Sequence, residues 1–292
     1  MLPTIQSDRL ELSVLWQQYT DFKSKYLRPS SLKDFRKTAN HIARLPDQSL
    51  TAAKAIARHL QGNLSADTAK RVLTQINACC KWAVDQELIE QNPFEGMARR
   101  IKVRHSSFIN PFTPLERDWI IKAFEESSRH QHYASLVKFL FATGCRTSEA
   151  VGLTWQYVAP DLSCITFAEV VVEGVRVSST KTHKIRKFPV NRSLQGLMET
   201  LRPELLQLPL PVFTDSQGNL VRPNNFLRRH WKPVVRNLPI AYRPQYNTRH
   251  TFITLCLEAN VPIAQVAAWV GNSPRIILEH YAGLTRVEVP EL

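Results

Sequence analysis

The sequence lacks most features that mark secreted, membrane-spanning and metal-binding proteins. Its five cysteines, Cys79, Cys80, Cys145, Cys164 and Cys256, are odd in number and have no C-x-x-C spacing, which excludes a disulfide framework and a zinc knuckle. No apolar stretch approaches the roughly 20 residues that span a bilayer, and the first residues do not have the pattern of a signal peptide. A P-loop and a cluster of metal ligands are absent too. We therefore expect a cytoplasmic protein with no membrane contact, metal or cofactor.

The charge of the chain indicates a polyanionic partner. Lys and Arg number 38 against 25 Asp and Glu, which gives a net charge of +13 and a pI near 9.8. The excess is spread along the chain, because residues 1–105 hold 17 basic and 10 acidic residues and residues 106–292 hold 21 and 15. Nucleic acid is the expected partner, and both halves of the chain are expected to contact it.

The length of 292 residues favours two domains. Residues 1–95 show apolar residues at helical spacing, interrupted by Pro and Gly, which predicts about four helices. Residues 96–111 have little periodicity and are predicted to form a linker with a basic run. For that run, a solvated connector and a DNA-contacting segment remain equally open.

Residues 112–292 are predicted to form a second domain, mainly helical with one small sheet. Thr113, Pro114 and Glu116 form the pattern of a capping box at a helix start. Residues 163–190 are rich in β-branched residues, which predicts two or three short strands. The predicted fold class is therefore mainly α, with an N-terminal helical domain and a C-terminal α+β domain that contains a small antiparallel sheet.

Two segments place an arginine at the start of a helix. In the first, Gly144 ends one helix and Arg146 begins the next turn, three residues before Glu149. In the second, Arg249 and His250 open a helix for which Asn247 or Thr248 is the expected cap. Taken singly, each pattern is more typical of a surface ion pair or a solvated helix start, yet two such arginines also suit the oxygens of a phosphate.

Two further segments add a lysine and a tyrosine. Lys181 lies in a basic segment, residues 179–190, predicted to form a β-hairpin, and Tyr281 ends a helical stretch near the C-terminus. Alone, the first is typical of a solvated edge or a general DNA contact, and the second of a packing residue. His130 and His132 lie two positions apart, so their side chains face different directions on a helix, and a solvated helix start is predicted in preference to a metal pair.

The order and spacing of these segments resemble a known family. An Arg in a Gly-x-Arg-x-x-Glu-x-x-x-Leu helix, a Lys on a hairpin, an Arg-His helix start and a late Tyr are together similar to the catalytic domain of tyrosine recombinases, which include phage integrases and bacterial chromosome-dimer resolvases. The resemblance covers residues 112–286 by motif. Over residues 10–95 the helical, basic pattern alone is similar to the family's core-binding (SAM-like) domain.

The resemblance implies a role for each of these side chains. Arg146 and Arg249 would hold the phosphate, Lys181 would protonate the leaving 5′ oxygen and Tyr281 would be the nucleophile. His250 would act as a base or a hydrogen-bonding group, and Glu149 would orient the site. Together they supply charge neutralisation, in-line attack and leaving-group protonation, and a covalent 3′-phosphotyrosine needs no nucleotide cofactor for rejoining.

Two positions depart from the family's usual pattern. Tyr246 stands where the family usually has His, three residues before the second Arg, and Asn272 follows Gly271 where His or Trp is usual. Both side chains form hydrogen bonds, but neither titrates near neutral pH as His does. Retuned activity is therefore compatible with an intact set of Arg, Lys and Tyr.

The resemblance also implies partners. These are double-stranded DNA with paired target sites, a homotetramer assembled on that DNA, and in some relatives a directionality factor. An arm-binding domain is not expected, which favours a simple target site. The candidate DNA contacts outside the catalytic set are Arg99, Arg100, Lys102, Arg104, Lys184, Arg186, Arg228 and Arg229.

The expected function is site-specific DNA recombination, by integration or excision, through a 3′-phosphotyrosine. A DNA-binding regulator that kept the fold and lost turnover is the main alternative, motivated by Tyr246 and Asn272. A type IB topoisomerase, which shares the nucleophile and the arginines, is the other. The target sequence and the type of mobile element are not encoded in any pattern found in the chain.

Overall fold

The computed structural model describes residues 10–27, 29–103, 109–172, 174–178, 185–205 and 209–281. The chain divides into two compact units, Met1–Ser106 and Ser107–Leu292. Within the described residues, no helix is both long enough and apolar enough to cross a membrane.

The described residues of the first unit form four α-helices, as the periodicity predicts. They are α1 (Leu12–Ser24), α2 (Pro29–Ile42), α3 (Ala53–Asn63) and α4 (Ala66–Asp85). The long helix α4 presents one apolar stripe, on which Val72, Leu73, Ile76 and both Cys79 and Cys80 are fully buried. The two cysteines thus pack as small core side chains.

The first unit continues into the segment that the sequence assigns to the linker. Ala98–Arg100 forms a 3₁₀ turn, and Ile101 is buried in the same core as α1 and α4. Arg99, Arg100 and Lys102 are exposed on this turn and just after it. Arg104, the remaining candidate of this basic run, lies outside the described residues.

The second unit is mainly helical and is built on a large apolar core. Helix α6 is buried on nearly every face, with Leu136, Val137, Phe139 and Leu140 at its centre. The capping box of Thr113 and Glu116 is present at the start of α5. The helices are α5 (Pro114–Glu125), α6 (Ala134–Thr143), α7 (Thr147–Ala150), α8 (Arg192–Leu201), α9 (Pro223–Phe226), α10 (Lys232–Arg236), α11 (Asn247–Glu258), α12 (Ile263–Val270) and α13 (Pro274–Tyr281).

The strands form two antiparallel pairs where the sequence predicts one small sheet. β1 (Cys164–Phe167) pairs with β4 (Arg186–Pro189), and β2 (Glu169–Val172) pairs with β3 (Val175–Ser178). The expected hairpin over residues 179–190 is therefore wrong in its described part, because β4 pairs back to β1. The predicted class, mainly helical with a small antiparallel component, is confirmed.

A π-helical turn joins α9 to α10 and carries a histidine into contact with a second one. His230 lies in the turn Leu227–Trp231, and its Nδ1 is 3.0 Å from Nδ1 of His130. The ring of His230 also lies 4.1 Å from that of Tyr133 and stacks on Phe226. The predicted solvated position of His130 is wrong, because aromatic side chains from distant segments cover it and leave it 9% exposed.

This histidine pair is expected to make the protein less stable in acid. Burial and the nearby positive charge of His130 and Arg129 lower the pKa of His230 to about 4, whereas the pKa of an unfolded histidine is about 6.5. Because the unfolded chain takes up the proton at a higher pH than the folded chain does, the neutral His230 contributes to stability above pH ~6.5. That contribution is lost as the pH falls towards ~4.

Melting temperatures measured between pH 7.5 and 4.5 test this expectation. His230→Phe keeps an aromatic ring and should shrink the acid-induced drop by roughly a few degrees. His59→Phe, in the first unit, is the control and should leave the drop unchanged. An equal drop in the wild type and His230→Phe would show that the pair does not carry the effect.

Candidate active site

A left-handed glycine sets the position of Arg146. Gly144 ends α6 with φ of +58°, a conformation that side chains with a β-carbon rarely adopt. A β-carbon there would lie 2.5 Å from the ring of Phe252, so glycine is also required for space. The chain then reverses, and Arg146 becomes the residue that precedes α7.

Glu149 is buried beneath Arg146 and holds it. The carboxylate accepts hydrogen bonds from the Arg146 backbone N–H at 2.7 Å and from Arg146 Nη1 at 2.9 Å. Burial alone would raise the pKa of Glu149, but hydrogen bonds and charge from Arg186, with Arg146, outweigh it and hold that pKa below its usual range. The ion pair expected within this helix thus exists, with its carboxylate inside the protein.

The predicted exposed position of Arg186 is wrong. The sequence places it among the exposed DNA contacts, but its side chain is 8% exposed and both terminal nitrogens donate to Glu149, at 2.9 and 2.7 Å. Because both terminal nitrogens are hydrogen-bonded to a buried carboxylate, this guanidinium is not available to contact DNA. The alternation of side chains along β4 indicates this burial, because Arg186 shares a face of the strand with the buried Phe188 while Lys187 is exposed.

Arg249 lies almost fully inside the protein, at 1% exposure. Its Nη1 donates to the Gly144 carbonyl oxygen at 2.9 Å, which ties α11 to the turn before Arg146. Its Nη2 is buried and has no hydrogen-bond partner among the described residues. Burial lowers the pKa of Arg249, and Arg146 and Arg186 add like charge at close range, yet a guanidinium stays protonated at neutral pH.

Tyr281 and His250 meet at the centre of the same region. The Tyr281 hydroxyl lies 2.5 Å from His250 Nδ1, and the side chain of Tyr281 is 3% exposed. Burial and the charges of Arg249 and His280 lower the pKa of His250 to about 4, so the imidazole is neutral at pH 7 and able to accept a proton. Burial raises the pKa of the Tyr281 phenol, while Arg249 opposes that rise.

Of the two positions that depart from the family pattern, Tyr246 contacts His250 and Asn272 follows the end of α12. The ring of Tyr246 meets that of His250 edge-on at 5.2 Å and is 46% exposed. Asn272 follows Gly271, which ends α12 in the left-handed conformation. The expected side-chain cap of α11 is wrong, because the residue before the helix is Tyr246 and its side chain makes no capping bond.

The remaining candidates are exposed or lie outside the described residues. Arg228 and Arg229 are exposed on the π-helical turn, as a DNA contact requires. Lys181 and Lys184 lie outside the described residues, so the role implied for Lys181 stays a prediction. No group of three or more metal-ligating side chains occurs in the part of the chain that the structure describes.

The arrangement brings together several groups that could take part in transfer of a phosphoryl group to a tyrosine. A phenol contacts a neutral imidazole, and an arginine with an unpaired buried donor lies within electrostatic range of that phenol. Arg146 is partly exposed and close to Arg249. Sequence reasoning named these residues, but it missed the contact of Arg249 with the Gly144 carbonyl oxygen and assigned Arg186 to DNA instead of to Glu149.

The chain is mainly helical, divides into two units and has this candidate tyrosine site in the second unit. The chain belongs to the phage integrase family, whose family model matches residues 111–286. This confirms the resemblance to the tyrosine recombinases, a family of site-specific DNA recombination enzymes. The "Tyrosine recombinase XerC-like" protein of Caldanaerobacter subterraneus subsp. tengcongensis is 22% identical over 248 residues, which cover 73% of this chain and 61% of that protein. The chain thus spans about three fifths of the length of that relative.

Solved structures share the fold at low sequence identity. The Tn1549 transposon integrase in complex with a circular intermediate DNA superposes with a TM-score of 0.77 at 15% identity, over 93% of this chain and 95% of that one. A lambda integrase tetramer bound to a Holliday junction gives a TM-score of 0.69 at 14% identity, over 92% and 79%. At these identities the likeness establishes the fold.

Proposed function

We propose that the chain is a site-specific DNA recombinase that cleaves and rejoins DNA through a covalent 3′-phosphotyrosine on Tyr281. The observation that carries the proposal is the contact of the Tyr281 hydroxyl with a neutral His250, next to an Arg249 whose buried Nη2 has no partner among the described residues. Buried donors are rarely left unpaired, so this N–H is available to a phosphate oxygen.

The proposed cleavage step assigns a role to each of these residues. The Tyr281 oxygen attacks phosphorus and its proton passes to His250, which forms the phosphotyrosine bond and breaks the bond to the 5′ oxygen. Arg146 and Arg249 neutralise the non-bridging oxygens. Lys181, by the family resemblance, gives the leaving 5′ oxygen its proton. Rejoining reverses the sequence on a second 5′ hydroxyl, so the bond energy is conserved.

The burial of Tyr281 adds a requirement. Because Tyr281 is only 3% exposed, we infer that a phosphate reaches its hydroxyl after a local shift of the protein. The phenol is held by α13, an eight-residue helix whose buried anchors are Ile277 and Tyr281 itself. We infer that DNA binding shifts this helix or its cover, so that cleavage follows binding.

The wider assembly is part of the same proposal. The first unit, with exposed Arg99, Arg100 and Lys102, would act as the core-binding domain, and exposed Arg228 and Arg229 of the second unit would contact the duplex backbone. A homotetramer on two paired sites is supported by the solved lambda integrase tetramer. A directionality factor and a cytoplasmic location are carried over from the family alone.

Trapping of a covalent complex tests the proposal. The protein is incubated, with EDTA present, on nicked suicide duplexes cut from DNA that flanks its gene, and the products are denatured. We expect a protein–DNA adduct that survives denaturation and is lost in Arg146→Ala. Tight, sequence-selective binding with no adduct would support the regulator instead, with Tyr246 and Asn272 as the changed residues. Relaxation of any supercoiled DNA without a preferred sequence would support the topoisomerase.

A further inference from the structure

Arg186 is a buried cation at which three parts of the second unit meet. Besides its two hydrogen bonds to Glu149, its Nε donates to the Trp269 carbonyl oxygen at 2.8 Å. Its guanidinium also lies over the ring of Phe167, at 4.3 Å from the centroid. Every nitrogen of the guanidinium is therefore engaged, and the side chain is held in one orientation.

Glu149 connects this fixed guanidinium to Arg146. One edge of the carboxylate receives the fork of Arg186, and the same two oxygens receive the backbone N–H and Nη1 of Arg146. The carboxylate is fully buried and does not rotate while the fork holds it. The direction of the Arg146 guanidinium is thus set by Arg186 through Glu149.

Arg186 also supports the backbone that leads to Asn272. Trp269 lies in the last turn of α12, and Gly271 ends that helix. A β-carbon on Gly271 would lie 3.3 Å from both Cδ and Nη1 of Arg186, so the backbone at this position rests directly on the arginine. One side chain therefore supports two candidate site segments that are more than a hundred residues apart in sequence.

We propose that Arg186 is a positioning residue for DNA cleavage, which sets Arg146 through Glu149 and the Gly271–Asn272 backbone through Trp269. The proposal rests on the proposed function. Lysine carries the same charge on a single nitrogen, so it cannot supply a planar fork to Glu149 and a donor to Trp269 together. We therefore expect Arg186→Lys to keep part of this positioning and Arg186→Met to lose all of it.

Single-turnover cleavage of a suicide duplex, at saturating DNA, measures the effect. We expect Arg186→Met to cleave about 100-fold more slowly than the wild type and Arg186→Lys about 10-fold more slowly, because small misplacements of a catalytic group cost this much. The dissociation constant for DNA should change by less than about 3-fold, since the residue has no free face for DNA. The matched control is Lys187→Met, one residue along β4 with an exposed side chain, which should cleave at the wild-type rate.

The pH profile separates positioning from a general loss of structure. In Arg186→Met the buried Glu149 keeps only Arg146 as a bonded partner, with Arg249 and Cys145 as the other titratable groups nearby. Its carboxyl then takes up a proton at higher pH and releases Arg146. Cleavage by Arg186→Met should fall more steeply than wild-type cleavage between pH 7.5 and 5.5, whereas purely structural damage lowers the rate by the same factor at each pH.

A double variant keeps the test valid where Arg186→Met folds poorly. Adding Glu149→Gln removes the buried charge that Arg146 alone would then compensate, so the melting temperature should return towards that of the wild type while cleavage stays low. Recovery of cleavage along with stability, or wild-type rates in Arg186→Met at every pH, would overturn the positioning role and leave the recombinase proposal intact. No adduct from the wild type on any duplex would overturn the recombinase proposal, and the role of Arg186 in cleavage with it.

Discussion

Tyr281→Phe is expected to eliminate the covalent protein–DNA adduct completely, with DNA affinity within about 2-fold of the wild type. Phenylalanine fills the same space in the core formed by Ile253, Val266 and Ile277, so the second unit keeps its packing. The lost hydrogen bond to His250 costs about 1 kcal/mol of folding free energy. Gel separation after denaturation measures the adduct, and a filter-binding titration measures the affinity.

Tyr246→Phe is the matched control for this prediction. Tyr246 is the more exposed phenol and its ring also contacts His250, so it is the rival nucleophile. Because the Tyr281–His250 contact is intact in that variant, the adduct should persist at a reduced level. An adduct that persists in Tyr281→Phe and vanishes in Tyr246→Phe would reverse the assignment.

Arg249→Lys is expected to slow cleavage by a factor of about 10²–10³, the usual loss when one donor to a developing oxyanion is removed. The substitution keeps a positive charge but removes the planar fork, so the bond to the Gly144 carbonyl oxygen and the free Nη2 donor cannot both be replaced. Loss of the buried hydrogen bond should also lower stability by about 1–3 kcal/mol. Single-turnover cleavage and urea unfolding measure the two effects separately.

Arg275→Lys is the control for a conservative change on an exposed arginine of the same unit. Its side chain is 86% exposed and pairs with Glu279 on the outer face of α13. Exposed pairs of this kind contribute about 0–1 kcal/mol, so both cleavage and stability should match the wild type. Wild-type cleavage in Arg249→Lys would show that Arg249 holds the fold together and does not bind the phosphate.

Local sequence patterns predicted much of this molecule. The capping box at Thr113, the left-handed Gly144 and the helical periodicity of the first unit depend on neighbours within a few residues, and the structure contains all three. The family resemblance was drawn from the order and spacing of the segments that contain Arg146, Lys181, Arg249 and Tyr281. Their order in the chain indicates the type of reaction even when the distances between their side chains are unknown.

Contacts between distant segments were not predictable in the same way. Arg186 bonds to residues 37 and 83 positions away, and His130 meets His230 across 100 positions, so no local pattern specifies either contact. The alternation of β4, with Phe188 facing inward, does place Arg186 on the buried side. A basic residue on a predicted inward face therefore indicates a buried carboxylate partner more strongly than a DNA contact.

Identification of the residue linked to DNA is the most direct test of the central claim. The adduct from a suicide duplex is digested with nuclease and protease, and the peptide that carries the nucleotide is sequenced by mass spectrometry. The account predicts a 3′-phosphonucleotide on the Tyr281 hydroxyl and an unmodified Tyr246. A nucleotide on any other side chain would contradict the assignment of Tyr281 as the nucleophile.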